Sequence, residues 1–137
     1  MFTVSELIRE ESDGTISFGD YSLPEKTKKS DFKFHGDLYK VKTFKEITKL
    51  ERNEFFVYES VQGTSVGHLK TGADGISFTV EGADDAQITL ELLPETEYQI
   101  TVAGVDAGQM KTNLGGKLSL GVELSKETPV DVSVKKV

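Results

Sequence analysis

Cysteine and tryptophan are both absent from this 137-residue chain, and proline occurs only three times. Without cysteine the chain has no disulfide, no thiolate metal site and no thiol nucleophile. No stretch approaches the roughly 20 apolar residues that a membrane-spanning helix needs. The first residues carry no basic and apolar leader of the kind that directs secretion. These absences predict a soluble, cytoplasmic protein that depends on its core rather than on cross-links.

Positive charge is also scarce. The chain carries 16 Lys and Arg against 23 Asp and Glu, for a net charge of −7 and an isoelectric point near 4.9. A chain of this charge repels nucleic acid and anionic lipid surfaces. The sequence therefore predicts no nucleic-acid partner and no membrane partner.

Apolar and polar residues alternate in six short stretches after the turn-forming segment Gly72-Ala73-Asp74-Gly75. Alternation with a period of two, bounded by Gly, Asp, Asn and Pro, is typical of half-buried antiparallel strands. The predicted strands cover residues 76–81, 88–92, 98–102, 109–112, 118–124 and 130–134. They predict an antiparallel β-sandwich over residues 72–137.

The first 71 residues have a more mixed pattern. The capping-box spacing of Thr3 and Glu6 predicts a short helix to about Glu11, and residues 15–18 read as a short strand. Residues 24–30 are expected to form an exposed loop, and residues 32–42 to form a hairpin around Gly36.

A second capping box opens at Thr43, and Phe44, Ile47 and Leu50 follow at three-residue spacing, which favours a helix over residues 43–53 with a strand as the alternative. A buried strand at residues 55–58 follows. The fold expected is therefore mainly β, an immunoglobulin-like antiparallel sandwich over 72–137 on which a small mixed α/β part, residues 1–71, packs.

The segment from Leu92 to Val102 has the spacing of a tyrosine corner. Pro94 and Thr96 are expected to shape a turn, and Tyr98 opens the next strand with its hydroxyl bonded back to the backbone near Leu93 or Pro94. On this segment the last seventy residues resemble fibronectin type III and related immunoglobulin-like modules. The resemblance implies a seven-stranded sandwich, so that one strand must come from residues 55–60, and the Trp that usually fills such a sandwich is missing here.

The whole chain also resembles a group of short Firmicute proteins of uncertain role, some of them labelled endosialidase. The stretches that carry this resemblance are residues 38–51, 57–60 and 110–117. An endosialidase activity would need clustered arginines to bind the sugar carboxylate, and this chain has only Arg9 and Arg52. We therefore do not expect an endosialidase. Glycoside hydrolysis needs two carboxyl groups about 5–10 Å apart in a cleft, and a sandwich this small rarely has room for one, so we do not expect an enzyme.

The residues that could bind phosphate, act as a general base or hold a metal are expected to have structural roles instead. Gly115-Gly116-Lys117 lacks the glycine and the hydroxyl residue that complete a phosphate loop, so it predicts a hairpin turn with at least one positive φ. His35 and His68 are expected at the surface, away from any carboxylate partner. The aspartates at 74, 84, 85 and 106 favour solvated loop tips, with Ca²⁺ binding as the alternative. No cofactor and no metal are predicted.

Two groups of residues are candidates for contacts with partners. Phe55, Phe56 and Tyr58 are expected to be core residues, or to stack on a sugar or a partner if exposed. The last strand carries Val130, Val132 and Val134 on one face and only Asp131 as an interior charge, which favours edge pairing in a homodimer.

The function predicted is a non-catalytic interaction or scaffold module that acts through sheet edges or loop tips on a protein partner or on itself. The alternative is a carbohydrate-binding or small glycan-active domain. A sugar site would need two or three exposed, coplanar aromatic rings, whereas a scaffold needs an apolar patch or an open edge.

Overall fold

The computed structural model describes all 137 residues and consists of thirteen β-strands with no helix. The strands are β1 Ile8–Glu10, β2 Ile16–Phe18, β3 Thr27–Phe34, β4 Asp37–Thr43, β5 Ile47–Arg52, β6 Phe55–Val61, β7 Thr64–Gly72, β8 Gly75–Gly82, β9 Ala86–Glu91, β10 Glu97–Val102, β11 Val105–Lys111, β12 Lys117–Val122 and β13 Val130–Lys136. With no helix present, no helical segment is long and apolar enough to cross a membrane.

The strands form two antiparallel sheets that face each other as a β-sandwich. Sheet A has the order β1-β2-β7-β8-β13-β10-β11, and sheet B has the order β12-β9-β6-β5-β4-β3. The sandwich predicted from the alternating pattern is therefore confirmed, as is the all-antiparallel pairing of its strands.

Aromatic rings from both sheets interlock at the centre of the core. Tyr58 of sheet B lies between Phe18 and Phe78 of sheet A, with ring centroids 5.4 Å and 5.6 Å apart in edge-to-face geometry. Edge-to-face pairs are a favoured aromatic arrangement. These three rings fill the middle of a sandwich that has no tryptophan.

The expected α/β part at the N-terminus is wrong, because residues 1–71 form strands joined by turns and loops and contain no helix. Near the start, Val4 is fully buried and its N–H donates to the Gly19 carbonyl, which holds the chain extended instead of helical. At residues 43–53 the strand alternative is the right one. Thr48 and Leu50 are fully buried and Lys49 between them is not, so burial follows a period of two.

The expected boundary at residue 71 does not separate two structural parts. β7 and β8 form a hairpin across it within sheet A. Each sheet contains strands from both sides of this position, since β6 pairs with β9 in sheet B and β7 pairs with β8 in sheet A. His68 lies within β7, and the exposed loop expected at residues 24–30 becomes β3 from Thr27 onward.

The final strand is not an edge strand, so that expectation is also wrong. β13 lies between β8 and β10 and is hydrogen-bonded on both sides. Val132 and Val134 are buried in the core and Val130 is partly buried against it. Asp131 faces outward, where its carboxylate accepts a hydrogen bond from Thr79. When one face of a sheet is open to water, a central strand can also alternate and carry a charge on its solvent-facing side. The pattern of β13 therefore does not distinguish an edge strand from a central one.

The tyrosine corner is present as the spacing predicts. The Leu93 N–H donates to the Tyr98 hydroxyl at 3.2 Å, and the Tyr98 ring is buried. The Thr96 hydroxyl donates to the Pro94 carbonyl at 2.8 Å. The buried Thr112, which sequence reasoning overlooked, joins the corner by donating to the Leu93 carbonyl and accepting from the Thr96 N–H.

Candidate interaction surfaces

Four strands lie at the edges of the two sheets: β1 and β11 in sheet A, and β3 and β12 in sheet B. The outer side of an edge strand carries backbone N–H and C=O groups that can pair with another chain. Three of these edges are protected. β1 has only three residues, and β3 carries Lys28, Lys29 and Lys33 and shifts register before Phe32. The ladder between β11 and β10 shifts register near Thr101.

β12 is the edge that lacks such protection. Its ladder with β9 runs without a shift from Lys117, opposite Glu91, to Val122, opposite Ala86. The strand has no proline, and no charged residue lies between Lys117 and Glu123. A regular, uncharged edge of this kind is a template for strand addition.

The turn before β12 is built on Asn113 and Gly116. The Asn113 carbonyl accepts from the Gly116 N–H at 3.0 Å, and its side-chain oxygen accepts from the Gly115 and Lys117 N–H groups. Gly116 has a φ of +80°, which confirms that at least one of the two glycines has a positive φ. The turn is not a hairpin, however, because β11 belongs to sheet A and β12 to sheet B.

Apolar side chains are exposed at the end of the sandwich where β12 begins. Phe55 is 72% exposed, Leu93 48% and Leu114 80%. Leu92 donates its N–H to the Gly116 carbonyl, which fixes the loop containing Leu93 to the turn containing Leu114. A groove of about 460 Å³ lies at this end, lined by Phe55 and Leu93 among other residues and flanked by the charged side chains Arg52, Glu91 and Lys136.

The three aromatic candidates in β6 have different environments. Phe55 is exposed, whereas Phe56 is half-buried beneath two lysines, with the Nζ of Lys117 4.5 Å from its ring centroid and that of Lys49 5.9 Å away. Tyr58 is fully buried and its hydroxyl is 2.8 Å from Thr64 Oγ1. Burial raises the pKa of the Tyr58 phenol. Tyr58 is therefore a core residue and takes no part in a surface.

The features expected of a sugar site are only partly present. Phe55 is the only aromatic side chain that is mostly exposed, so no pair of exposed, coplanar rings exists. A shallow groove of about 320 Å³ does cross the outer face of sheet A. Its lining includes the hydroxyl groups of Thr79 and Thr101, the carboxylate of Asp131 and the imidazole of His68.

His68 has carboxylate neighbours that sequence reasoning missed. Its Nδ1 lies 2.9 Å from an Asp13 carboxylate oxygen and 3.2 Å from the Thr15 hydroxyl, and its Nε2 lies 4.0 Å from Glu11. His68 has a φ of +52° at a register shift of β7, a position that turns a side chain out of the regular alternation. The ring is exposed, as expected, and so is that of His35.

Local hydrogen bonds favour the ionised form of the two carboxylates, Glu11 and Asp13, in this cluster. The buried Ser17 hydroxyl donates to Glu11 at 2.6 Å, and this bond is the main cause that lowers the pKa of Glu11, with Arg9 adding to it. Hydrogen bonds from Thr15 lower the pKa of Asp13 in the same way. Sequence reasoning missed this cluster because His68 and Asp13 are 55 residues apart in the chain. They come together only through the pairing of β2 with β7.

The acidic loop tips engage in local contacts. Asp85 accepts from the Leu124 N–H at 3.0 Å, and Asp106 accepts from the Gly108 N–H at 2.7 Å. No three His, Cys, Asp or Glu side chains converge in an arrangement that could hold a metal ion. The calcium alternative thus gains no support from these positions.

The chain matches no protein-family model, no curated protein and no solved structure.

Proposed function

We propose that the protein is a non-catalytic interaction module that pairs with a second copy of itself through the free edge of β12. The observation that supports this most directly is the regular, uncharged ladder of β12 with β9, whose far side is open. Antiparallel pairing of two such edges would join the two copies of sheet B into one continuous twelve-stranded sheet, and a closed two-fold contact is the commonest form of homodimer.

The charges at the two ends of β12 suggest a register for this pairing. Opposite residues in an antiparallel pair lie on the same face of the sheet. If Leu120 lies on the two-fold axis, Leu118 faces Val122 of the other copy on the core side. On the outer side, Lys117 then faces the partner's Glu123, and the two-fold axis repeats this ion pair at the other end of the strand.

The apolar end of the sandwich adds to the proposed contact. Leu114 lies in the turn before β12, and the loop with Leu93 is hydrogen-bonded to that turn. Both side chains lie beside the proposed interface and would lose solvent exposure on pairing. Burial of apolar surface contributes about 25 cal/mol per Å², which supplements the backbone hydrogen bonds of the edge.

Charge reversal at the ends of β12 provides the experiment. Lys117→Glu or Glu123→Lys alone should shift the sedimentation equilibrium toward monomer, because each places like charges opposite one another in the dimer. The double variant restores opposite charges and should restore the dimer. A charge added at another edge, Ala107→Lys in β11, serves as the control and should leave the equilibrium unchanged.

A parent chain that stays monomeric at tens of micromolar protein would contradict the proposal. So would single reversals that leave association unaffected. Equal weakening of association by Ala107→Lys would contradict the proposal too, because the effect would then not be specific to the β12 edge.

An immunoglobulin-like relationship is a further part of the proposal. The Leu93–Tyr98 hydrogen bond supports it, because a tyrosine corner marks the start of strand F in such domains. Strand neighbours also support it: β5-β6-β9 follow the A-B-E order, and β10-β11 follow the F-G hairpin. The strand order departs from that scheme because β8 and β13 lie between β7 and β10. An experimental structure of a relative would test the proposed relationship.

The alternative of carbohydrate binding has one supporting feature, the hydroxyl-lined groove of sheet A. Hydroxyl and carboxylate groups can exchange hydrogen bonds with sugar hydroxyls. Titration with neutral oligosaccharides, followed by amide shifts in β8 and β13, would test it. Shifts confined to Thr79, Asp131 and their neighbours would favour this alternative over the edge proposal.

A further inference from the structure

Positive charge in this acidic chain is concentrated in one region. Residues 26–52, which span β3 to β5, contain nine Lys or Arg and four Asp or Glu. The remaining residues contain seven Lys or Arg and nineteen Asp or Glu. The β3–β5 region therefore has a net charge of +5, whereas the rest of the chain has a net charge of −12.

Three of these lysines form a row across sheet B. Lys28 of β3 is directly opposite Lys42 of β4, and Lys42 is directly opposite Lys49 of β5. Directly opposite residues share one face of a sheet. This face is the outer one, because Val41 and Leu50, which alternate with the lysines, are fully buried. We call Lys28, Lys42 and Lys49 the lysine ladder.

The ladder has no acidic partner within the protein. No carboxylate oxygen lies within 4.0 Å of the Nζ atom of any ladder lysine. Glu51 of β5 and Glu59, the residue opposite Lys49 in β6, are acidic groups at the margin of the row but form no ion pair with it.

Like charges directly opposite one another destabilise a sheet. Partial burial, together with the charges of Lys26, Lys28 and Lys49, lowers the pKa of Lys42. The row thus costs stability in the isolated protein, and a ligand of opposite charge would remove that cost.

We propose that the lysine ladder binds a chain-like polyanion that carries repeated phosphate or sulfate groups. Neighbouring strands are about 4.8 Å apart, so the three lysines extend over about 10 Å. A chain with closely spaced charges matches this length, because it can place one anionic group at each lysine. Lysine acts as a point charge for tetrahedral oxyanions, whereas planar carboxylates are better matched by arginine.

The surroundings of the ladder disfavour two other polyanions. Nucleic acid is disfavoured because single strands bind best where exposed rings can stack on bases. The nearby rings, Phe44 and Phe56, are half-buried beneath Lys26, Lys49 and Lys117. An acidic polypeptide presents carboxylates, for which the ladder offers no arginine fork.

A matched pair of triple variants tests the proposal. The ladder variant is Lys28→Gln, Lys42→Gln, Lys49→Gln. The control variant, Lys111→Gln, Lys126→Gln, Lys135→Gln, changes the net charge equally at exposed lysines outside the region. Each chain is titrated with inorganic polyphosphate, a sulfated glycan, poly-glutamate and single-stranded DNA at several salt concentrations.

The parent and the control variant should bind polyphosphate, the sulfated glycan or both, and which of the two binds identifies the source of the oxyanions. The ladder variant should bind about tenfold more weakly or worse. The slope of its log binding constant against log salt concentration should decrease in magnitude by about one for each lysine removed. Without ligand, the ladder variant should melt at the same temperature as the parent or higher at low salt, because repulsion is relieved.

Several results would overturn the proposal. One is that the control variant loses as much affinity as the ladder variant, or that the ladder variant binds as tightly as the parent. Another is that neither polyphosphate nor the sulfated glycan binds the parent at low salt. A third is that poly-glutamate or DNA binds the parent more tightly than they do. A ladder variant that melts well below the parent would also count against it, since the lysines would then be structural. The charge-reversal sites Lys117 and Glu123 lie outside the ladder, so the two proposals can fail independently.

Discussion

The hydroxyl of Tyr98 accepts the backbone N–H of Leu93 at 3.2 Å, five residues earlier in the chain, while its ring lies in the core. This bond links the connection that crosses from sheet B to the start of strand β10 in sheet A. Tyr98→Phe should lower the free energy of unfolding by about 1–2 kcal/mol, because the partly buried hydrogen bond from the Leu93 N–H loses its acceptor. Urea denaturation measures the change. A variant as stable as the parent would mean that the bond contributes nothing.

Replacement of the two glycines before β12 should have unequal effects. Gly116→Ala should destabilise the protein by about 1–3 kcal/mol, because φ is +80° and a methyl group would meet the Leu92 carbonyl. Gly115→Ala is the control, since its φ is not positive and its nearest neighbour would be the Asn113 side chain at 3.5 Å. Thermal unfolding of both variants provides the comparison, and equal losses would contradict this reading of the turn.

The carboxylate of Glu81 is buried and accepts hydrogen bonds from the Tyr21 hydroxyl at 2.6 Å and from the Phe2 N–H at 2.8 Å. Tyr21→Phe should cost about 1–3 kcal/mol, because the carboxylate loses one of its two donors. The double variant Tyr21→Phe, Glu81→Gln should recover part of the loss, since the remaining buried group is then neutral. A double variant less stable than the sum of the two single changes would reject this coupling.

Glu11 gives a prediction about pH. Its pKa is lowered in the folded state, mainly by the Ser17 hydroxyl, so its contribution to stability is present above its unfolded pKa of about 4.3. That contribution is lost as the pH falls through the folded pKa. Ser17→Ala should raise the pKa of Glu11, and carboxyl NMR titration measures the shift.

The stability difference between the parent and Ser17→Ala should accordingly shrink as the pH falls below about 4. The same substitution made in a Glu11→Gln background provides the control. There the difference should not vary with pH over this range. A pH-dependent difference in that background would assign the effect to a group other than Glu11.

The sequence reasoning succeeded where local pattern controls structure. The alternation after Gly75 located β8, β9, β10, β12 and β13, since the side chains of these strands alternate between core and solvent. The prediction for β11 was only partly right, because this strand begins at Val105, before the expected start at residue 109, and all of its residues are exposed. The corner around Tyr98 was also predictable, because the turn residues and the acceptor lie within six positions. Exposure of Phe55 next to buried Tyr58 was not, because a register shift after Leu50 interrupts the alternation in β6.

Long-range pairing explains most of the failures. The spacing of Phe44, Ile47 and Leu50 is compatible with a helix, and only the neighbours β4 and β6 make this segment a strand. The position of β13 in its sheet, the contact of His68 with Asp13 and the lysine ladder all depend on which strands pair. A single sequence does not encode strand order in any local pattern.

The position of β13 has a consequence for how the protein forms during synthesis. β13 is thirteenth in chain order, yet it supplies the hydrogen-bonding partner of both β8 and β10. When residues 130–136 are still inside the ribosome, sheet A is two separate pieces with two inward-facing open edges. Completion of the sheet must therefore wait for the release of this strand, and the nascent chain is most exposed to chaperones and to misassembly in the interval before it.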